Sequence, residues 1–147
     1  MGAAEDLATY LDAQSSRFTS GTTLFVNAMP HSTAASLAIF ESGGLDPQQT
    51  YGDGTLPAWE NLTVQLVART SAPTDGATIP SPVNARTLLH TAWVLLNAVV
   101  NEELSGSTYL RVEPRQAPMR LPEPENDGRV LFTANFDVLR VPSTSFA

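Results

Sequence analysis

Two segments of the chain alternate apolar and polar residues with a period of two. Apolar side chains share one face from Leu62 to Arg69 and again from Val130 to Leu139. This alternation is typical of strands that bury one face and leave the other near water. Between the two segments, residues 81–101 carry an apolar stripe at helical spacing, formed by Ala85, Leu88, Leu89, Ala92, Trp93, Leu96 and Val99. These patterns require a helix packed on a sheet.

The remaining elements complete an α-β-β-β-α-β-β order. The sequence predicts a first helix from Ala4 to Gln14, and Ser81-Pro82 is a typical start for the second helix. The other predicted strands span residues 23–26, 36–41 and 109–113, and the loops span 42–56, 70–80 and 115–128. We expect a single α+β domain over residues 1–140, with the helices on one face of a mostly antiparallel sheet. Residues 141–147 are predicted to be a flexible C-terminal tail.

Composition excludes several classes of protein. The 147 residues have a formal net charge of −7, all eight basic residues are arginine, and there is no cysteine. Disulfides, thiolate metal sites and a cysteine nucleophile are therefore excluded. The acidic balance argues against a broad nucleic-acid interface, which needs clustered basic residues. The longest apolar stretch, residues 92–100, is too short for a membrane span, and we expect a soluble protein that contacts no membrane.

Residues with catalytic potential are few. His31 and His90 have no partner at metal-ligand spacing, and we interpret both as surface or partly packed histidines. Asp46, Asp53 and Glu60 flank a glycine-rich loop, where carboxylates suit acid–base work or cation binding, but ordinary turn chemistry explains them better. The sequence thus predicts no catalytic, metal or cofactor site and no enzyme.

The order of short motifs along the whole chain resembles one family. The residues that carry the resemblance run from the first helix to the last strand, at positions 7–11, 21–25, 29–30, 40–44, 59–60, 62–66, 116–118, 127–129, 132 and 135–138. In this order they resemble the bacteriophage minor capsid proteins that act as tail terminators in long-tailed phages.

The resemblance implies a structural role in the virion. Such proteins form a hexameric ring that caps the tail tube at its head-proximal end and joins it to the neck. The implied partners are further copies of this chain, the tail tube protein and the neck or head–tail connector protein. DNA passes through the bore of the ring without specific binding. Assembly is expected in the host cytoplasm.

A ring of identical subunits needs contacts between two unlike surfaces of each copy. Loops and chain ends are suitable sources of such contacts. We therefore predict interface residues on the segments 46–59, 71–80 and 140–147, namely Asp46, Tyr51, Asp53, Trp59, Asp75, Arg140 and Phe146. Trp59 fits a buried core position equally well. Acidic side chains repel DNA phosphates, and the predicted lining of the bore consists of Glu102, Glu103, Glu123, Glu125 and Asp127.

Two alternatives remain open at this point. The first is a neighbouring structural role, as a head–tail connector or tail-completion protein of the neck. The second is a small-molecule enzyme or binding module that uses the loop from Asp46 to Glu60. The latter requires a concave polar site, which a structure can reveal.

Overall fold

The computed structural model describes residues 2–29, 35–49, 57–70, 83–121 and 129–141, with the backbone alone for 42–49, 57–59 and 83. Two helices lie in this part of the chain, α1 (Ala3–Gln14) and α2 (Val83–Asn97). The strands are β1 (Leu24–Val26), β2 (Ser36–Gln49), β3 (Pro57–Arg69), β4 (Val100–Leu104), β5 (Ser107–Pro114), β6 (Met119–Arg120) and β7 (Leu131–Val141).

The strands form one sheet in the order β1-β2-β3-β7-β5-β4, and β6 also pairs with β7. All pairs are antiparallel except that of β1 with β2. The α+β class and the mostly antiparallel sheet predicted from the sequence are therefore confirmed. Strands β5 and β6 lie in turn along the same edge of β7, so together they cover most of its length.

The two alternating segments found in the sequence pair with each other at the centre of the sheet. The register of β3 and β7 runs from Glu60 opposite Arg140 to Arg69 opposite Leu131. Residues opposite each other in register point to the same face of a sheet. The apolar side chains of both strands therefore lie on the same face of the sheet, and this face forms one side of the hydrophobic core.

Both helices cover this apolar face. Helix α2 contacts β2, β3, β5 and β7, while α1 contacts β1, β2 and α2. The predicted stripe of α2 is buried, except that Trp93 is only partly buried. The indole N–H of Trp93 donates a hydrogen bond to the carbonyl oxygen of Gln116 at 3.2 Å, so this residue ties α2 to the segment between β5 and β6.

The C-terminal boundary predicted for the second helix was wrong. Helix α2 ends at Asn97, and β4 begins at Val100, where the sequence pattern had been extended as helix to about residue 101. Ser105 and Gly106, with φ of 52° and 87°, connect β4 to β5. Two consecutive residues with positive φ form the tight turn that suits the twist of a two-residue hairpin. Through this turn the chain returns as β5, which pairs antiparallel with β4.

Two predicted loops were also too long. Strand β2 continues to Gln49 and so extends into the segment predicted as a loop over residues 42–56, and β3 begins at Pro57, before the predicted strand start at Leu62. The short strand β6 lies within the connection predicted over residues 115–128. In the described part of the chain, neither helix is long and apolar enough to cross a membrane.

Candidate functional site

A cluster of charged and polar side chains lies buried where α1 crosses one end of the sheet. The pairing register brings Glu60 of β3, Arg140 of β7 and Tyr109 of β5 into one row on the helix-covered face. Asp6 reaches this row from α1. These four residues are each less than a tenth exposed and are called the polar cluster below.

The contacts within the polar cluster are direct. Nη2 of Arg140 donates a hydrogen bond to Oε2 of Glu60 at 2.7 Å, and Nη1 donates to the Tyr109 hydroxyl at 3.3 Å. The Tyr109 hydroxyl donates in turn to Oδ2 of Asp6 at 2.5 Å. Nη1 of Arg140 also lies 3.6 Å from the same oxygen of Asp6. One guanidinium thus connects α1 to three strands.

Burial and hydrogen bonds together change the pKa of Tyr109 and the pKa of Arg140. Burial, followed by the hydrogen bond to Asp6, raises the pKa of Tyr109 far above its ordinary value, although Arg140 acts in the opposite direction. Burial alone would lower the pKa of Arg140, but the hydrogen bonds to Glu60 and Tyr109 raise it. Tyr109 therefore remains a neutral donor and Arg140 a cation at neutral pH. This arrangement suits the attachment of α1 to the sheet.

Two residues that the sequence analysis singled out, Arg140 and Glu60, belong to the polar cluster. Arg140 was expected at an interface near a flexible tail, but it lies in β7 and its side chain is buried between two acids. Glu60 was grouped with loop carboxylates, but it lies in β3 and binds Arg140. In both cases the sheet register, which the sequence alone does not provide, turns a charged side chain inward.

The other predicted site residues lie outside the polar cluster or outside the described residues. Glu102 is partly buried and Glu103 is exposed, both on β4. The backbones of Asp46 and Trp59 lie in β2 and β3, but nothing is described of their side chains. The predictions for Tyr51, Asp53, Asp75, Glu123, Glu125, Asp127 and Phe146 fall outside the described residues.

The histidines do not form a described site. His90 is exposed on α2 and stacks on Trp93, with ring centroids 6.3 Å apart. His31 lies outside the described residues. Across the part of the chain that the structure describes, no three His, Cys, Asp or Glu side chains are grouped in a way that could hold a metal ion.

Sequence reasoning missed Asp6 and Tyr109 as members of a site. Asp6 was assigned to the first helical turn only, where an acid favours the helix dipole. Its spacing contained a further signal, because it lies three residues after the buried Ala3 and four before the partly buried Tyr10. A helical residue at that spacing shares the core face, so a buried carboxylate and a buried partner could have been expected.

Comparison with known proteins identifies no relative, since no protein-family model and no curated protein matches the chain.

Proposed function

We propose that this chain is a structural virion protein, the subunit of a phage tail terminator. In this proposal six copies form a ring that caps the tail tube at its head-proximal end and joins it to the neck. The observation that carries the proposal is the ordered set of family-like residues, which runs from the first helix to the last strand. The α+β fold with a mostly antiparallel sheet agrees with the small subunit that this resemblance implies.

The long hairpin of β2 and β3 supports a ring. Among the described residues, the pairing of β3 with β7 reaches Glu60, whereas the pairing of β2 with β3 continues to Gln49 opposite Pro57. A two-stranded ribbon of β2 and β3 therefore extends past the last described pair of β3 with β7. Head-to-tail contacts in a ring join two unlike surfaces, and a projecting ribbon on one copy suits a flat surface on the next.

Four of the seven predicted interface residues belong to this part of the sequence. The backbones of Asp46 and Trp59 belong to the ribbon, and Tyr51 and Asp53 lie in the sequence between its two strands. We infer that the ribbon supplies one half of the contact between neighbouring copies. The proposal assigns no catalytic role to the polar cluster, whose groups are buried and bound to one another.

The acidic charge fits a bore through which DNA slides. A net charge of −7 repels phosphates on average, and binding to DNA depends on neutralising those phosphates. Glu102 and Glu103 are the described members of the predicted lining. We propose that they face the bore together with Glu123, Glu125 and Asp127.

Native mass spectrometry with purified tail tubes tests the proposal. We expect a hexamer that binds tube ends. Asp46→Arg, a charge reversal on the ribbon, should reduce hexamer formation, while Glu113→Arg should leave the hexamer intact because Glu113 is exposed on β5, away from the ribbon. A chain that stays monomeric and ignores tube ends contradicts the proposal. A hexamer that binds the neck protein but not the tube favours the connector alternative.

A further inference from the structure

An open groove of about 300 Å³ lies between α1 and the hairpin of β4 and β5. One wall is formed by α1, and the other by β4 and the turn that follows it. Three of the lining side chains are carboxylates, those of Asp6, Glu102 and Glu103, and none of the lining residues is basic. The groove is therefore acidic along its length.

One lining carboxylate, that of Asp6, has an oxygen without a hydrogen-bond donor among the described residues. Asp6 is 1% exposed, and its Oδ2 already accepts the hydrogen bond from Tyr109. Its Oδ1 is buried as well, and no described residue donates a hydrogen bond to it. A buried oxygen without a donor costs about 1–3 kcal/mol, and more when the group is charged. A donor that enters the groove would remove this cost.

The charge balance favours a cationic donor. Within the polar cluster, the cation of Arg140 faces two carboxylates, Asp6 and Glu60. Glu102 and Glu103 add two further carboxylates from β4. A bound cation would therefore interact with acids on both walls of the groove.

Tyr10 gives the groove an aromatic wall. Its ring lines the groove beside the acids. Burial, and then the charge of Glu102, raise the pKa of Tyr10, so its hydroxyl stays protonated at neutral pH. A neutral aromatic ring attracts a planar guanidinium over its face, and arginine stacks in this way more often than lysine.

We propose that this groove receives an arginine side chain presented by a partner protein. The groove volume is about ten times the volume of one water in the liquid, so it admits a guanidinium with part of its stem. A guanidinium offers five N–H donors, which is enough to bond Asp6 Oδ1, Glu102 and Glu103 together. This inference does not depend on whether the chain forms a ring.

Calorimetry and heteronuclear NMR with argininamide test this proposal on the full chain. Argininamide carries the guanidinium without a carboxylate, and citrullinamide is its uncharged isostere. We expect saturable binding of argininamide, with chemical-shift changes centred on Tyr10 and Ser105. Citrullinamide should bind at least about tenfold more weakly, because charge-assisted hydrogen bonds are about twice as strong as neutral ones.

Matched variants locate the binding. Asp6→Asn and Glu102→Gln should each raise the Kd for argininamide at least about twofold, and Glu113→Gln, outside the groove, should leave it unchanged. Glu102 is partly exposed, so its variant tests the groove even where Asp6→Asn fails to fold. Equal binding of the two amides, an unchanged Kd in Glu102→Gln, or displacement of argininamide by Mg²⁺ at constant ionic strength would overturn the proposal.

Discussion

At the scale of single residues, Arg140 is the side chain on which the polar cluster depends. Its pair with Glu60 is 2.7 Å long, and the two side chains are only 10% and 11% exposed. A buried pair of this kind adds little net stability compared with apolar residues, but removal of one partner leaves the other charge buried alone. The cluster therefore fixes where α1 lies on the sheet.

Arg140→Met should lower the free energy of unfolding by about 3–5 kcal/mol, because Asp6 and Glu60 lose their shared cation while the volume is nearly kept. Urea unfolding at neutral pH measures the change. The matched control is Arg115→Met. Its pair with Asp137 is exposed, with side chains 55% and 57% accessible, and its loss should cost less than about 1 kcal/mol. Equal losses of unfolding free energy in Arg140→Met and Arg115→Met would contradict the assignment of Arg140 and Glu60 as a buried pair.

Tyr109→Phe should change the stability at alkaline pH. The pKa of Tyr109 is raised above its ordinary value of 10.0 by burial and by the bond to Asp6, so the folded chain holds the proton more tightly than the unfolded chain. The stability gained in this way is complete below about pH 10 and is lost as the pH rises towards the pKa in the folded state. The wild type should therefore lose up to about 1.4 kcal/mol per pH unit in that range.

The variant Tyr109→Phe should lose stability less steeply above pH 10, after an initial loss of about 1–3 kcal/mol at neutral pH from the missing hydroxyl. Unfolding by urea between pH 8 and about pH 11 measures both effects. Tyr10→Phe is the control. Tyr10 is only partly buried, and the causes that raise its pKa are burial and the charge of Glu102. The same alkaline slope in the wild type and in Tyr109→Phe would contradict this assignment.

The residue scale also shows the limit of sequence reasoning. The apolar positions of the alternating strands were predicted correctly, because the apolar residues that recur every second position are also the buried ones. Arg140 follows the same alternation, two residues after the buried Val138, but it was assigned to an interface because it opens the C-terminal segment 140–147. Only the register, which places Glu60 opposite Arg140, shows that the charge has a partner in the core.

At the scale of elements, strand β4 is the feature that sequence patterns missed, whereas its partner β5 was predicted at residues 109–113. The apolar stripe of α2 continues to Val99, which is buried, and this continuity concealed the end of the helix. The signal that marks the strand is the Ser105-Gly106 turn, since both residues need a positive φ. Local turn chemistry therefore locates β4 better than hydrophobic periodicity does.

Substitutions in this turn should have opposite effects. Gly106→Ala should destabilise the chain by about 1 kcal/mol, because φ of 87° is strained for a residue with a Cβ. Ser105→Asn should stabilise it by a few tenths of a kcal/mol, because asparagine tolerates the left-handed conformation that the first turn position requires. Thermal unfolding of both variants measures the difference. A loss of stability in both would contradict the assigned turn.

The extension of β2 explains a second missed element. Gly43 and Pro47 disfavour regular strand, and the sequence prediction ended β2 before them. The pairing shifts register between Ser42 and Gly44 and again between Leu45 and Gln48, so both residues fall at irregular positions. Glycine and proline are accommodated in strands at such bulges. Pairing with β3 thus continues where local propensity alone predicts a loop.

At the scale of the whole molecule, the proposed ring combines the projecting ribbon with an acidic surface. A ring that surrounds moving DNA must not hold it, and the net charge of −7 opposes binding to phosphate. We predict that the assembled protein shows no saturable binding to double-stranded DNA at physiological salt in fluorescence anisotropy. Submicromolar binding that weakens steeply with salt would contradict the acidic bore.

The length of tail tubes assembled in the presence of this chain tests the central claim most directly. Purified tube protein is polymerised with and without the chain, and electron microscopy measures the tube lengths and the structure at each end. We expect a sixfold ring at one end of each tube and an arrest of growth at that end. Unchanged tube lengths, with the chain free in solution and no ring on either end, would contradict it.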